Sequence, residues 1–273
     1  MNDGYIRIFS VSENNIKDLT VDITNFVATI EIRRPPHNFF DVELITQIAD
    51  TYSEMDRRND VRAIVLCAEG KNFCAGANLG ASNVGNAKDS STGVLSNDLY
   101  RQAVRIFRSK KPVVAAVQGA AIGGGLGLAV SADFRVTCPE GRFSANFTKL
   151  GFHPGFGLTL TLPSLIGKQR ASLMCLTSRR IDGLQATTWG LADLCVPLCD
   201  VRLEAQKIAQ EIASCAPLAV ASTRSTLRIG LADSIAMQTD HELAEQNALR
   251  GTKDYKEGIE SASQRREPIF QGK

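Results

Sequence analysis

The stretch that most limits what this chain can become runs from Lys110 to Ala129. Val113 to Val117 is a short β-branched run that reads as a buried strand, and the chain then turns through glycines into an apolar run ending at Leu128 and Ala129. Three consecutive glycines, Gly123-Gly124-Gly125, at a strand-to-helix turn leave the backbone bare. A ligand atom can then approach N–H groups that point out of the helix start. A phosphate loop of the Walker type would need Lys-Ser or Lys-Thr after its last glycine, and Leu126-Gly127 stands there. The dinucleotide fingerprint needs Gly-x-Gly-x-x-Gly, whereas Gly125 is followed by a glycine after a single residue. Two readings remain: an oxyanion hole, in which a backbone N–H polarises a carbonyl that gains charge, and close strand-helix packing through glycine.

The rest of the chain sets the scale. At 273 residues and 44% hydrophobic content it can bury a large core, as one domain or one domain with an appendage. Thirty-one basic against 29 acidic residues give a formal charge of +2, which offers no global field for nucleic acid. The start, Met1 to Tyr5, lacks a basic segment leading into an apolar core, and no run approaches the ~20 apolar residues of a membrane span. A cytoplasmic protein without membrane or nucleic-acid partners is expected. The seven cysteines are scattered and expected to be reduced, and with three histidines no zinc pattern forms.

In order, Leu19 to Glu31 alternates as a hairpin around Thr24-Asn25, and Asp41 is placed to cap an amphipathic helix over 42–57. Ala63 to Ala68 reads as a central strand, followed by the small-residue segment 71–79. Residues 80–97, rich in Gly, Ser and Asn, read as a surface loop, and a helix is expected from Asp98 to Arg108. Phe134 to Cys138 and Arg142 to Phe147 read as strands, Gly151 to Gly157 as a tight loop, and Ser164 as the cap of a helix reaching Leu176. Helical spacing dominates from Val201 onward. The repeated strand, strand, helix order predicts stacked ββα units in residues 1–200, with 201–273 as a helical region for oligomerisation.

The segment 71–79, the glycine turn 119–127 and the run Leu176 to Gly183 followed by Ala186 and Gly190-Leu191-Ala192-Asp193 resemble the crotonase (enoyl-CoA hydratase/isomerase) superfamily in order and spacing. The ending, Gly258-Ile259 to Phe270, resembles that family's terminal helix and tail. The resemblance implies an α/β fold, a spiral of ββα turns with C-terminal helices that build trimers, commonly paired into hexamers. It implies an acyl-CoA thioester as substrate, with coenzyme A carried on that substrate and no other cofactor or metal, and a place in fatty acid metabolism. Carried over by motif, the two oxyanion donors are the N–H groups of Ala77 and Gly124. His37, Lys71, Ala75 and Ala77 are placed at the CoA moiety, and Lys110 and Lys111 are further basic residues that could meet its phosphates.

The same resemblance locates what is missing. Hydratases carry one glutamate two residues after the last glycine of the triple and a second four residues before the glycine ahead of the Pro-Gly loop. Those positions are Gly127 and Phe147. Some relatives use an aspartate near the Pro-Gly loop, where Gly155 stands. Since general acid-base groups contribute ~10²–10⁴-fold, ordinary hydration should be slow. His153 is the one imidazole expected near the site, suited to proton transfer at neutral pH or bonded structurally to backbone. Asp98 and Tyr100 are weaker candidates, and Cys74 is expected to pack beneath the loop. The alternatives are a non-catalytic acyl-CoA-binding or assembly protein, and a hydrolase or carbon-carbon lyase of the same fold. Phe147, Phe152 and Phe156 point to a bulky or cyclic acyl group.

Overall fold

The computed structural model describes residues 17–78 and 97–273. The expected loop at 80–97, apart from Asn97, and the start at Met1 to Tyr5 lie outside the described residues. The elements are β1 (Leu19–Thr24), β2 (Val27–Ile32), α1 (Val42–Arg57), β3 (Ala63–Ala68), α2 (Asp98–Phe107), β4 (Val113–Val117), β5 (Ala120–Ile122) and α3 (Gly124–Ser131). There follow β6 (Phe134–Thr137), β7 (Arg142–Ser144), α4 (Leu158–Ile166), α5 (Lys168–Thr177), β8 (Ile181–Asp182), α6 (Gly183–Trp189) and β9 (Leu194–Cys195). The chain closes with α7 (Val201–Ser214), α8 (Pro217–Leu227), α9 (Leu231–Arg250) and α10 (Lys253–Gln264).

Two sheets organise the described residues. The larger runs β1-β2-β3-β4-β6-β9 and the smaller β5-β7-β8. Only β1 with β2 and β7 with β8 pair antiparallel. β4, β5 and α3 form one turn of a spiral, β6, β7 and α4 the next, and each turn gives one strand to each sheet. The segment after β3 repeats the pattern in reduced form, since Cys74 bridges to Ala121 of β5. This is the crotonase-like α/β spiral the resemblance implies.

β3 is buried at every residue, which explains its unbroken apolar composition. On one face of the large sheet Leu44, Ile45, Ile48 and Tyr52 of α1 pack with α2 and α3, and the Asp41 carboxylate caps α1 by accepting from Leu44 N at 2.9 Å. The other face is covered by α7, whose Val201, Ala205, Ala209 and Ala213 recur every four residues and meet Val65, Val114 and Val136. α8 follows α7. That helix is anchored by Arg224, whose guanidinium donates to both oxygens of Asp133 at 3.1 and 2.9 Å, joined by Arg228 at 3.0 Å. No helix of the described residues is long and apolar enough to cross a membrane.

Four expectations change. The hairpin turn is Asn25-Phe26, both at positive φ, one residue later than expected. The strand at Arg142 stops at Ser144, and Phe147 precedes a short 3-10 turn at Thr148–Leu150. The chain does not pass straight from β4 into the helix, because β5 intervenes. Ser164 lies inside α4, donating to Leu160 O at 2.9 Å, and the helix ends at Gly167 with φ 78° before α5 begins.

Candidate active site

The glycine turn and the 71–77 segment are packed backbone to backbone. A Cβ on Gly119 would collide with Lys71 O, one on Gly125 with Cys74 O, and one on Gly76 would stand 2.8 Å from Ile122 O and 3.9 Å from Gly124 N. Close packing thus accounts for Gly119 and Gly125. Cys74 N donates to Ala120 O at 2.8 Å, Ile122 N to Cys74 O at 3.1 Å, and Gly123 N to Ser144 O at 2.8 Å. Gly123 caps α3 at φ 56°, a backbone conformation glycine adopts without steric cost. Gly124 is the first residue of α3, so its N–H belongs to the turn that has no intrahelical acceptor.

Ala77 is aimed by its neighbour. Phe40 forms a parallel bridge with Ala77, and Phe40 N donates to Gly76 O at 3.0 Å. In such a bridge the ladder bonds of Phe40 go to the residues flanking Ala77, so Ala77's own N–H faces away from Phe40. The Ala75 amide is already committed to His37 O at 3.0 Å. His37 itself is exposed, its ring 5.0 Å from that of Phe39. Lys71 is exposed and lines a cleft of about 590 Å³ with Gln118, Arg142 and Arg202 on the α7 side of the sheet. Lys110 and Lys111 are a different case. They precede β4, at the end of the strand away from the glycine turn, and their backbone amides donate to the Asp56 carboxylate at 2.9–3.0 Å. Cys74 is fully buried, and burial pushes its thiol up to about 12, consistent with packing.

The side chains nearest the glycine turn are mostly aromatic. A Cβ on Gly124 would overlap the Phe40 ring, and one on Gly127 would stand 2.6 Å from both Cβ and Cδ1 of Phe156. From Gly123 the nearest are Asn146 Oδ1 at 3.1 Å and Phe147 Cζ at 3.7 Å. Phe40 and Phe156 pack at 5.8 Å between ring centroids, and Phe147 meets Phe152 edge-on at 5.3 Å. Both positions expected to hold hydratase acids are therefore built into apolar packing: Phe147 is itself a buried ring, and the room beside Gly127 is taken by Phe156.

Residues 22–273 match the family model described as enoyl-CoA hydratase/isomerase. The chain belongs to that family. It is 30% identical to the 1,2-epoxyphenylacetyl-CoA isomerase of Escherichia coli, over 90% of this chain and 95% of the relative. It is 28% identical to a carnitinyl-CoA dehydratase of Citrobacter koseri over the same shares. A crystal structure of an enoyl-CoA hydratase/isomerase from Pseudoalteromonas atlantica T6c superposes with a TM-score of 0.82 at 28% identity, covering 93% of this chain and all of that one.

In this family member a group of polar residues lies around the 151–157 loop. His153 Nδ1 lies 2.7 Å from Pro154 O, and because a carbonyl only accepts, Nδ1 carries the proton and Nε2 is the basic nitrogen. Its ring is 6.0 Å from that of His241 on α9. Tyr100, buried in α2, donates to Gln246 Oε1 at 2.9 Å, and Gln246 Nε2 donates to His153 O at 2.9 Å. Burial raises the Tyr100 phenol well above its ordinary range, so it is neutral. Glu242 of α9 is 0% exposed and accepts from Gly157 N at 2.8 Å, Thr159 N at 3.1 Å and Thr159 Oγ1 at 2.5 Å. It caps α4 from 83 or more positions away. Burial raises its carboxyl above the usual range, although these hydrogen bonds pull it down.

Sequence reasoning passed over Glu242, Gln246 and Asn146. A signal for the first two existed: Ile235, Thr239, Glu242 and Gln246 are the buried face of α9 at helical spacing, and an acid and an amide on such a face need partners. For Asn146 there was none.

Proposed function

We propose that this protein is an acyl-CoA enzyme in which the N–H groups of Ala77 and Gly124 hold the thioester carbonyl and stabilise its enolate, and that it is not an ordinary enoyl-CoA hydratase. The observation that carries the reading is the combination at the glycine turn. Gly76-Ala77 is packed against the start of α3, with a Cβ on Gly76 only 3.9 Å from Gly124 N, while Phe147 and Phe156 fill the two acid positions. A carbonyl becoming an enolate gains charge on oxygen, which two backbone donors at a helix start favour. The names of the isomerase and dehydratase relatives, both acting on CoA thioesters, support the substrate class. His153 is the residue nominated for proton transfer through Nε2. His37, Lys71, Ala75 and Ala77 are assigned to the CoA moiety.

The test is exchange of α-protons for deuterium on a panel of acyl-CoA thioesters, followed by mass spectrometry. Exchange with at least one thioester, and no measurable hydration of crotonyl-CoA, is expected. His153→Ala should slow exchange by ~10²–10⁴-fold. Absence of exchange with every thioester, while CoA still binds, would defeat the catalytic claim and leave the second reading, a non-catalytic acyl-CoA-binding protein. That reading is favoured by one observation, the apolar rings that surround the turn. Hydrolysis or carbon-carbon cleavage would show in the same spectra as free CoA or a shortened acyl group.

A homotrimer, or a dimer of trimers, is proposed for the assembly. Leu218, Leu227 and Ile229 on and beside α8 are 86%, 81% and 84% exposed, an apolar face of the kind that a second copy covers. Light scattering at a single-chain mass would overturn it.

A further inference from the structure

The segment that carries Ala77, residues 69–77, is tied at both ends to residues 34–40. At the Ala77 end the ties are backbone: Ala75 N donates to His37 O and Phe40 N to Gly76 O, both at 3.0 Å, and Phe40 bridges Ala77. At the other end they are side-chain amides, and they are reciprocal. Asn38 Nδ2 donates across to Glu69 O at 2.9 Å and Asn72 O at 2.7 Å. Asn72 Nδ2 donates back to Pro36 O at 2.8 Å. The oxygens of both amides are engaged as well. Asn38 Oδ1 accepts from Arg34 N at 3.0 Å, and Asn72 Oδ1 from Arg142 Nη2 on β7 at 2.8 Å. Asn38 is 0% exposed and Asn72 7%, so moving either out of register would strand buried polar atoms. Asn38 sits at φ 50°, a left-handed conformation that asparagine tolerates better than most residues. Gln118 Nε2 holds the start of the 69–77 segment as well, donating to Gly70 O at 3.1 Å, but it ties that segment to the end of β4 and not to 34–40.

We infer that Asn38 and Asn72 are positioning residues, whose crossed amides fix residues 34–40 against 69–77 and thereby aim the Ala77 N–H. The inference rests on the enolate reading, which gives that N–H its role. Backbone bonds gathered at one end of a pair of segments resist a tilt poorly, whereas bonds at both ends fix it. A donor acts on a developing charge only at hydrogen-bond distance and in line with it, so a misplacement of about 1 Å can cost ~10²-fold in rate.

The probe is butyryl-CoA, isotope-labelled at the thioester carbonyl and read by infrared difference spectroscopy on the full chain and its variants. A carbonyl that accepts from N–H donors stretches at lower wavenumber, so the wild type should lower the stretch relative to butyryl-CoA in water. Asn38→Gly removes the amide and leaves the left-handed backbone free of steric cost. It should cancel about half of that shift or more, and slow α-proton exchange at saturating thioester by ~10–10²-fold. Asn72→Ala should act in the same direction and decides the matter if Asn38→Gly does not fold. Asp133→Ala is the control for stability, because Asp133 holds Val113 N at the opposite end of β4. It should lower the melting temperature and leave the shift in place. An Asn38→Gly protein that melts lower yet keeps the full shift overturns the positioning role, and so does an equal loss of shift in Asp133→Ala. A wild type that leaves the stretch at its value in water overturns the enolate reading and the inference together, whereas a wild-type shift that neither asparagine variant reduces overturns the inference alone.

Discussion

Gly127 and Phe156 should be energetically coupled, and the structure sets both sign and size. Gly127 lies inside α3, where alanine is favoured over glycine by about 1 kcal/mol on propensity alone. A methyl there would stand 2.6 Å from Phe156 Cβ and Cδ1 and 2.7 Å from Cγ, and overpacking of a filled core costs about 1–3 kcal/mol. In a Phe156→Gly background every one of those atoms is gone. The same Gly127→Ala substitution should then stabilise by about 1 kcal/mol, whereas in the wild type the clash cancels or outweighs the propensity gain. Propensity drops out of the double-mutant cycle, so the coupling energy is the clash alone, about 1–3 kcal/mol. Urea unfolding followed through Trp189, the chain's one tryptophan, measures all four corners. Protein concentration is held constant so that assembly contributes equally. Additivity within about 0.5 kcal/mol would refute the claim that the ring occupies the place of the residue-127 side chain.

Three further outcomes follow from the buried polar groups and the acid positions. Because burial raises the Glu242 carboxyl above its unfolded value of 4.5, its contribution is fully present below that pH and is lost as pH rises through the folded value. The stability difference between wild type and Glu242→Gln should therefore shrink or reverse above pH 4.5, and a pH-independent difference would count against it. Asp133→Ala strips Arg224 and Arg228 of their shared carboxylate, which should cost about 3–5 kcal/mol and speed hydrogen exchange across α8 more than across α7. Gly127→Glu with Phe147→Glu should not yield crotonyl-CoA hydration, while adding Phe156→Gly makes room for it. Equal hydration by the double and triple variants would show that Phe156 is no obstacle.

The elements legible in advance share one property, that their determinants are local. β3 reads as a central strand because every residue is buried, and α1 begins at Asp41 because its own carboxylate caps it three residues on. α7 is readable from its every-fourth-residue apolar stripe. α4 is the counterexample. Its N-terminal amides are satisfied by Glu242 on another helix, so no Ser, Thr or Asp marks the start, and the eye falls on Ser164 inside it. At the site, the backbone approach was legible in the glycines, since backbone contact demands the absence of a side chain. What the glycines make room for was not. The missing acid at Gly127 and the ring of Phe156 look like two independent departures in the sequence, 29 positions apart, yet in the fold they occupy one volume.

That shared volume changes how the departures from the hydratase pattern should be understood. Loss of a carboxylate alone would leave a hole beside the glycine turn, open to water. Here the hole is filled by a ring held in a strained conformation by Tyr100, Gln246 and Glu242. Strain of about 1–3 kcal/mol and three buried polar groups are a heavy investment for a loop that merely lost an acid. They fix where that ring stands, and under the proposed enolate reading an apolar surround would strengthen the pull of the Ala77 and Gly124 amides on a thioester carbonyl.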